Sequence, residues 1–337
     1  MMTQPRPTGS LVEIALGPAD GEHGRADPGR VAAAARALAE DGAVILAGAV
    51  PPESLARLAE RMDEDLRILL GRPDRAENFA PGHLQQDPPA EQAFLWSAVL
   101  AHPFVLRVCR EVLRQPLRLT SYSNNTNLVG SQDQAVHVDE GQLWPGLDQA
   151  HPPARLTVNI PLSAVDERSG AIELWPGTHL DPRVCRFAAT PQEGVTHALS
   201  YLRAAKRAAV AEEANRRVGL TVPGPLLDER RSRRPPVRAT TRLGDVLIRD
   251  PRLWHRGTAN HGASRRFMLA LTYDPEWREG LEPMQFPPSA RSLFDAAGLQ
   301  VRANYPDGPI DHLGRHRPPQ NSPLRRAAPD RDRTGSR

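Results

Sequence analysis

A chain of 337 residues, 39% hydrophobic and 25% charged, has ample material for a buried core in one large domain or two small ones. The net charge is only +3, Lys206 is the sole lysine, and seven of the arginines fall between Asp311 and Arg337. The chain therefore has no broad basic face and no interleaving of aromatic and basic residues, which speaks against nucleic acid as a partner. No apolar run reaches the length of a membrane helix, and MMTQPRPTGS lacks the apolar core of a signal peptide; the expected location is the cytoplasm.

Residues 1–25 are polar, with Pro and Gly, and are expected to be flexible. Asp27-Pro28 then forms an N-cap with proline at the first helical position, opening an Ala-rich helix that ends near Gly42. Ala43 to Leu46 is a short apolar strand. Pro51-Pro52 opens the next helix, in which Leu55, Leu58, Met62, Leu66 and Leu69 recur at helical spacing until Gly71. Further helix is expected over Ala90 to Ala101 and Pro103 to Arg114.

From Leu117 the period changes. RLTSYSNNTNLV, QAVHVD, RLTVNIPL, AIELW, RATTRL, DVLIRD and RFMLALTY are short β-rich runs set off by Gly, Pro and Asn. Strands this close together, without regular helices between them, predict a sandwich or jelly roll and not a parallel α/β sheet. The expected body is one mainly-β domain over residues 26–290, flanked by N-terminal helices. An insertion over about 181–236 interrupts it, helical from Glu193 to Arg217 and ending in the loop PGPLLDERRSRRPP. Such an insertion is either a lid or inert decoration. Residues 291–337, rich in Pro and Arg, are expected to be a largely disordered tail. Cys109 and Cys185 are too few for a disulfide framework or a Cys-rich zinc site and suit buried apolar positions.

Chemistry concentrates in HVDEGQLW. Alternation along a strand sends His137 and Asp139 to one face and Val138 to the other. Such a pair is either a buried hydrogen-bonded couple or two ligands of one metal. The best third partner is His255, after the strand GDVLIRD and a Pro-containing turn. Two His and one carboxylate on one side of an octahedral iron leave three positions open, whereas a structural zinc takes four protein ligands. A keto-acid co-substrate would need a fixed cation for its far carboxylate, and the guanidinium fork suits that task. In RRFMLALT, Arg266, Met268, Ala270 and Thr272 share one face, and Arg265, Phe267, Leu269 and Leu271 the other. Alternation alone does not choose between Arg265 and Arg266.

Several segments in order resemble the phytanoyl-CoA dioxygenase family of Fe(II)/2-oxoglutarate-dependent oxygenases. EDGAVILAGAVPPESLARL is similar to the family's opening strand and helix, QAVHVDEG to its H-x-D segment, SGAIELWPGTH to its Gly-to-PGSH strand and turn, and GDVLIRDPRLWHRGTAN to its distal-His segment. The similarity runs from about Ala39 to Tyr273. It implies a double-stranded β-helix (a cupin-like jelly roll), metal ligands at His137, Asp139 and His255, and a 2-oxoglutarate clamp at Arg266, eleven positions after His255. Gln134 matches a position where some relatives contact the co-substrate, or is a loop amide. Thr178 either donates to a carboxylate or shapes its turn; Asn127 and Asn159 are further candidates for the same pocket. Trp144, Trp175 and Trp254 either line a substrate pocket or pack in the core. His179 and His261 are read as structural.

The resemblance implies Fe(II), 2-oxoglutarate and O2 as cofactor and co-substrates. A small molecule is oxidised, by default hydroxylated, while 2-oxoglutarate is decarboxylated to succinate; natural-product tailoring is a fitting setting. Halogenating relatives of this chemistry replace the carboxylate ligand with a small residue, so Asp139 argues against halogenation. Substrate choice is expected in the 181–236 insertion, whose DERRSRRPP stretch is either an anion-holding loop or a solvated one. Two other readings stay open: another cupin-type metalloenzyme without use for Arg266, and a catalytically silent binder. The expected assembly is a monomer or a homodimer.

Overall fold

The computed structural model describes residues 10–21, 25–73, 75, 77–114, 116–141, 143–144, 147–185, 221–278 and 282–314. Helix α1 (Pro28–Asp41) starts where Asp27 accepts a hydrogen bond from the Arg30 N–H at 2.7 Å, and it stops at Gly42, whose φ of 77° is left-handed. Helix α2 (Pro52–Leu70) buries Leu55, Leu58, Met62, Leu66 and Leu69, the stripe its spacing predicts. The helix expected over Ala90 to Ala101 is broken. A 3-10 turn at Gln92–Phe94 and the short α3 (Ser97–Leu100) flank an extended Trp96. The apolar residues of this stretch run consecutively and cannot share one helical face, so Phe94 and Trp96 pack edge to face instead. Helix α4 (Pro103–Leu113) buries Phe104, Val105, Val108 and Cys109, which is a free thiol.

The main sheet runs in the order β1 (Glu13–Ala15), β2 (Ala43–Ala47), β8 (Val246–Arg249), β5 (Leu156–Pro161), β10 (Arg266–Pro275), β4 (Leu117–Asn127) and β12 (Gln300–Val301), with β3 (His83–Gln85) also paired to β4. Its five central strands are antiparallel neighbours drawn from distant parts of the chain. A smaller sheet, β7 (Val237–Ala239), β6 (Ile172–Leu174) and β9 (His255–Arg256), is extended by His137, which bridges to both His255 and Thr221. Two sheets with these long crossovers form a jelly roll. The body is mainly sheet, as the spacing of short β-rich runs requires.

Strict alternation sorts the core into layers. On β2, β8, β5 and β10, Val44, Ile248, Val158 and Leu271 face outward into a large cluster with α1, α2 and α4. Inward-facing Ala43, Ile45, Leu247 and Met268 meet Ile172, Leu174 and Val237 of the smaller sheet. A third cluster, Val136, Val138, Trp175, Val222 and Trp254, covers that sheet's far side.

Three boundaries differ from the sequence reading. Within residues 1–25, Glu13–Ala15 is a strand parallel to β2 with Ile14 buried, because the β2 edge is open to it. The fold does not end at 290: a short helix follows at Arg291–Ala296, Phe294 and Leu299 are core residues, and strand β12 pairs with β4 of the main sheet. DERRSR is helical, the end of a helix over Gly224–Arg233, and not a loop; Arg234 follows it as the extended cap residue. Ion pairs Asp228–Arg231 and Glu229–Arg233 suit helical spacing, while Arg230 donates to the Pro176 carbonyl and Arg234 pairs with Asp41. Its arginines tie this helix to the body. The helix expected over Glu193 to Arg217 lies outside the described residues.

Candidate metal centre

Val136 and Val138 are drawn to the outer apolar cluster, and alternation turns His137 and Asp139 to the interior. The same holds one strand away, where Trp254 packs outside and His255 points in. His137 and His255 exchange both backbone hydrogen bonds, each 2.9 Å, so their rings sit directly opposite with centroids 4.5 Å apart. Asp139 is fixed by its N–H, which donates to the Pro251 carbonyl at 2.9 Å.

Each imidazole has its Nδ1 2.8 Å from a carbonyl two residues earlier, Ala135 for His137 and Leu253 for His255. A nitrogen facing a carbonyl must carry the proton, so both Nε2 lone pairs are free. Both aim at Asp139 Oδ1, at 3.8 Å and 3.3 Å. The three ligand atoms lie within 4.8 Å of one another, a spacing that can hold a metal ion. Burial, then the neighbouring His255, pulls His137 down to about 3, so it is neutral and ready to ligate. Burial alone would raise the Asp139 carboxyl, but Arg249 and the two imidazoles hold it well below the usual carboxylate range.

These residues open onto a cavity of about 290 Å³ between the sheets, with Arg266, Gln134, Asn159, His83, Phe79 and Arg249 among its lining. Arg266 begins β10 and is 3% exposed, and its Nε and Nη1 have no hydrogen-bond partner among the described residues. Burial lowers its guanidinium to about 10. A buried cation with idle donors is costly unless an anion arrives. Arg265 instead turns outward to Asp63 on α2, which separates two residues that alternation left equivalent. The donor set thus fits both a metal and a carboxylate co-substrate.

The other candidates divide. Gln134 lines the cavity, but both ends of its amide are engaged: Oε1 accepts from the Gly257 N–H at 2.7 Å, and Nε2 donates to the Asn78 carbonyl at 2.9 Å. A Cβ on Gly257 would lie 2.8 Å from that Oε1 and 2.9 Å from His83 Cε1, so only glycine permits this closure. Asn159 lines the cavity and accepts from Arg249 Nε at 3.0 Å. Asn127 is outside it, donating to the Thr258 carbonyl at 2.9 Å and accepting from Ser131. Thr178 is a turn residue: its hydroxyl donates to the Trp175 carbonyl at 2.7 Å and accepts from the Trp254 N–H at 2.9 Å. None of the three tryptophans lines the cavity. Trp175 and Trp254 are fully buried on the far side of the small sheet, and Trp144 is 52% exposed with its edge against His151. His179 is structural, its Nε2 3.2 Å from the Ala39 carbonyl.

Sequence reasoning missed four contributors. Arg249 donates from Nη2 to Asp139 Oδ2 at 2.6 Å. Its signal was present, since Val246 and Ile248 face the helices and an arginine two residues after Leu247 must face inward. Phe79 stacks on His137, and His83 approaches Arg266 closely enough to share its field. Glu140, buried beside the cavity, pairs with Arg278 and Arg155.

Two imidazoles and one carboxylate inside a jelly roll leave half the positions of an octahedral ion open, which is the arrangement of non-haem iron(II) oxygenases. A family model described as phytanoyl-CoA dioxygenase (PhyH) matches residues 38–268, and the chain belongs to that family. Members use iron(II), 2-oxoglutarate and O2. The chain is 25% identical over 160 residues to the multifunctional dioxygenase prhA of Penicillium brasilianum, covering 43% of this chain and 51% of the relative. It therefore spans about half the length of that relative. Among solved structures it is similar to AviO1 from Streptomyces viridochromogenes Tue57, at 17% identity and TM-score 0.49 over 74% of this chain and 96% of that one. It is also similar to SnoK, a non-heme alpha-ketoglutarate-dependent carbocyclase from nogalamycin biosynthesis, at 19% identity and TM-score 0.48 over 74% and 87%.

Proposed function

We propose that this chain oxidises an unactivated C–H bond of a small molecule, by hydroxylation, and that its natural setting is the tailoring of natural products. His137, Asp139 and His255 would hold iron(II), and Arg266 would hold the distal carboxylate of 2-oxoglutarate. The observation that carries this reading is Arg266: a buried guanidinium whose Nε and Nη1 have no hydrogen-bond partner among the described residues, opening on the same cavity as the ligand cluster. A cupin-type metalloenzyme without a keto acid would have no use for that costly cation.

Iron(II) with its co-substrates supplies the oxidising chemistry, in which 2-oxoglutarate and O2 give succinate and CO2 and one oxygen atom enters the C–H bond. The chain's own part is positioning. The two Nδ1–H donors lock both rings with Nε2 inward. Arg249 engages the outer oxygen of Asp139 and leaves Oδ1 for the metal. His83 stays neutral beside Arg266, because burial drops it to about 4. The cavity volume of about 290 Å³ suits a small substrate or the reactive end of a larger one.

The test is anaerobic addition of iron(II) and 2-oxoglutarate to metal-free protein, following the weak visible charge-transfer band. The band should form in the wild type and be lost in His137→Ala. Product analysis by mass, once a substrate is found, then checks for the gain of one oxygen. Absence of the band in folded wild-type protein would overturn the reading.

A further inference from the structure

Among the described residues the charges around the cavity pair off save for Arg266, and Arg249 shares its partner Asp139 with the proposed metal. Arg155 makes a two-pronged contact with Asp274, at 2.7 and 2.8 Å, and lies 3.5 Å from Glu140, on which Arg278 also closes. Two arginines and two acids there are neutral together. Under the function proposed above, Arg266 is answered by the distal carboxylate of the keto acid. Iron(II) is balanced by Asp139 and the keto acid's second carboxylate. The positive charge of Arg249 is then in surplus, in a residue only 5% exposed. A net positive charge left over in a cavity of low dielectric invites an anion.

The geometry of Arg249 agrees. Nε donates to Asn159, Nη2 donates to Asp139, and Nη1 is buried with no hydrogen-bond partner among the described residues. Across the sheet Arg249 is the register partner of Thr157, and Thr157 of Thr272. These three residues form a row across β8, β5 and β10 on the cavity wall. A guanidinium at the end of a row that continues in two hydroxyls is a set of donors suited to an oxyanion. Thr272 lies six residues along β10 from Arg266, roughly 20 Å of strand, so this row is separate from the co-substrate's cation.

We infer that Arg249, with Thr157 and Thr272, seats a carboxylate or comparable oxyanion of the molecule to be oxidised, beside Asp139 and hence beside the metal. The substrate class is therefore anionic small molecules. The inference rests on the iron and keto-acid reading.

The experiment uses the full chain, loaded anaerobically with iron(II) and saturating 2-oxoglutarate so that Arg266 is occupied. Propionate and its amide, propionamide, are titrated while the charge-transfer band is followed. Propionate should shift the band saturably and propionamide should not. Arg249→Gln should weaken the propionate response about tenfold or more, and Thr157→Val with Thr272→Val, outside the ligand cluster, should weaken it while keeping 2-oxoglutarate affinity within about threefold. Arg249→Lys, which retains the charge, should recover part of that response and guards against a folding defect in the first variant. An unchanged propionate response in Arg249→Gln overturns the inference. So does loss of 2-oxoglutarate affinity matching that of Arg266→Gln, because the keto acid itself would then own Arg249. Failure of the wild type to form the band at all is a different result: it removes the underlying reading and the charge surplus with it.

Discussion

The ring of Phe79 lies over the imidazole of His137, with centroids 4.4 Å apart and planes at 23°, on a backbone held at φ 63°. That left-handed conformation costs a bulky residue roughly 1–2 kcal/mol. It persists because the Asn78 N–H donates to the His83 carbonyl at 2.7 Å and Gln134 grips the Asn78 carbonyl. The stack supports one face of the His137 ring, a proposed metal ligand. Phe79→Ala and Phe79→Gly should both lower iron(II) affinity about fivefold, the equivalent of roughly 1 kcal/mol for an aromatic pair. Glycine relieves the φ strain, so Phe79→Gly should be the more stable of the two by about 1 kcal/mol in urea unfolding. Metal titrations matching the wild type would show that the ring does not orient His137.

Arg266 should behave with opposite signs in binding and in stability. Among the described residues nothing bonds its buried Nε and Nη1, so Arg266→Leu should leave metal-free protein as stable as the wild type, or more so. The same change should weaken 2-oxoglutarate binding about a hundredfold or more, since a charge-assisted anchor is lost. Arg265→Gln, at the outward-facing neighbour, should leave binding within about twofold. Thermal melts of metal-free protein and 2-oxoglutarate titrations of metal-loaded protein read the two effects separately. A strongly destabilised Arg266→Leu would mean that the guanidinium serves the fold.

What the sequence disclosed follows the range of each interaction. Period-two alternation is local, so it correctly grouped His137 with Asp139 and Arg266 with Met268, Ala270 and Thr272, all of which line one cavity. Applied to LWHR, the same rule puts Trp254 on the face opposite His255, which is where the structure has it. Leaving Trp254 open between pocket and core did not use that rule, and the core is where it lies. Arg249 and Asp139 are 110 residues apart, and Arg155 and Asp274 are 119 apart. No local pattern encodes such pairings, because they arise where the topology brings strands distant in the chain side by side or face to face. The C-terminal boundary failed for a related reason. Phe294 and Leu299 are few and widely spaced among Pro and Arg, and only the groove that receives them makes them core.

His83 gives the metal-free protein a defined pH dependence. Burial depresses it from 6.5 to about 4. Between those values the unfolded chain binds more protons than the native one, so stability rises with pH there. The contribution is fully present above pH 6.5 and is lost as pH falls toward 4. From pH 7 to pH 5 the loss assigned to His83 is about 2 kcal/mol. His83→Gln should flatten the urea-unfolding stability curve over that interval by a comparable amount. An unchanged slope in the variant would mean that His83 keeps an ordinary pKa in the fold.

Trp254 tests whether the far side of the small sheet serves the fold or the substrate. Its indole is fully buried with Val136, Val138, Val222 and Trp175, and its backbone N–H is tied to the Thr178 hydroxyl at 2.9 Å. The layer therefore holds the strand that carries His255 from behind. Trp254→Ala should cost about 3–5 kcal/mol, from lost burial and a cavity that rigid neighbours fill poorly. Trp254→Phe keeps an aromatic filler and should cost about 1–2 kcal/mol while remaining folded. Since the ring does not line the cavity, folded Trp254→Phe should bind 2-oxoglutarate and propionate within about twofold of the wild type. A tenfold loss of either ligand, with stability intact, would return Trp254 to the pocket. Loss of stability with binding kept would fix its role as support for His255.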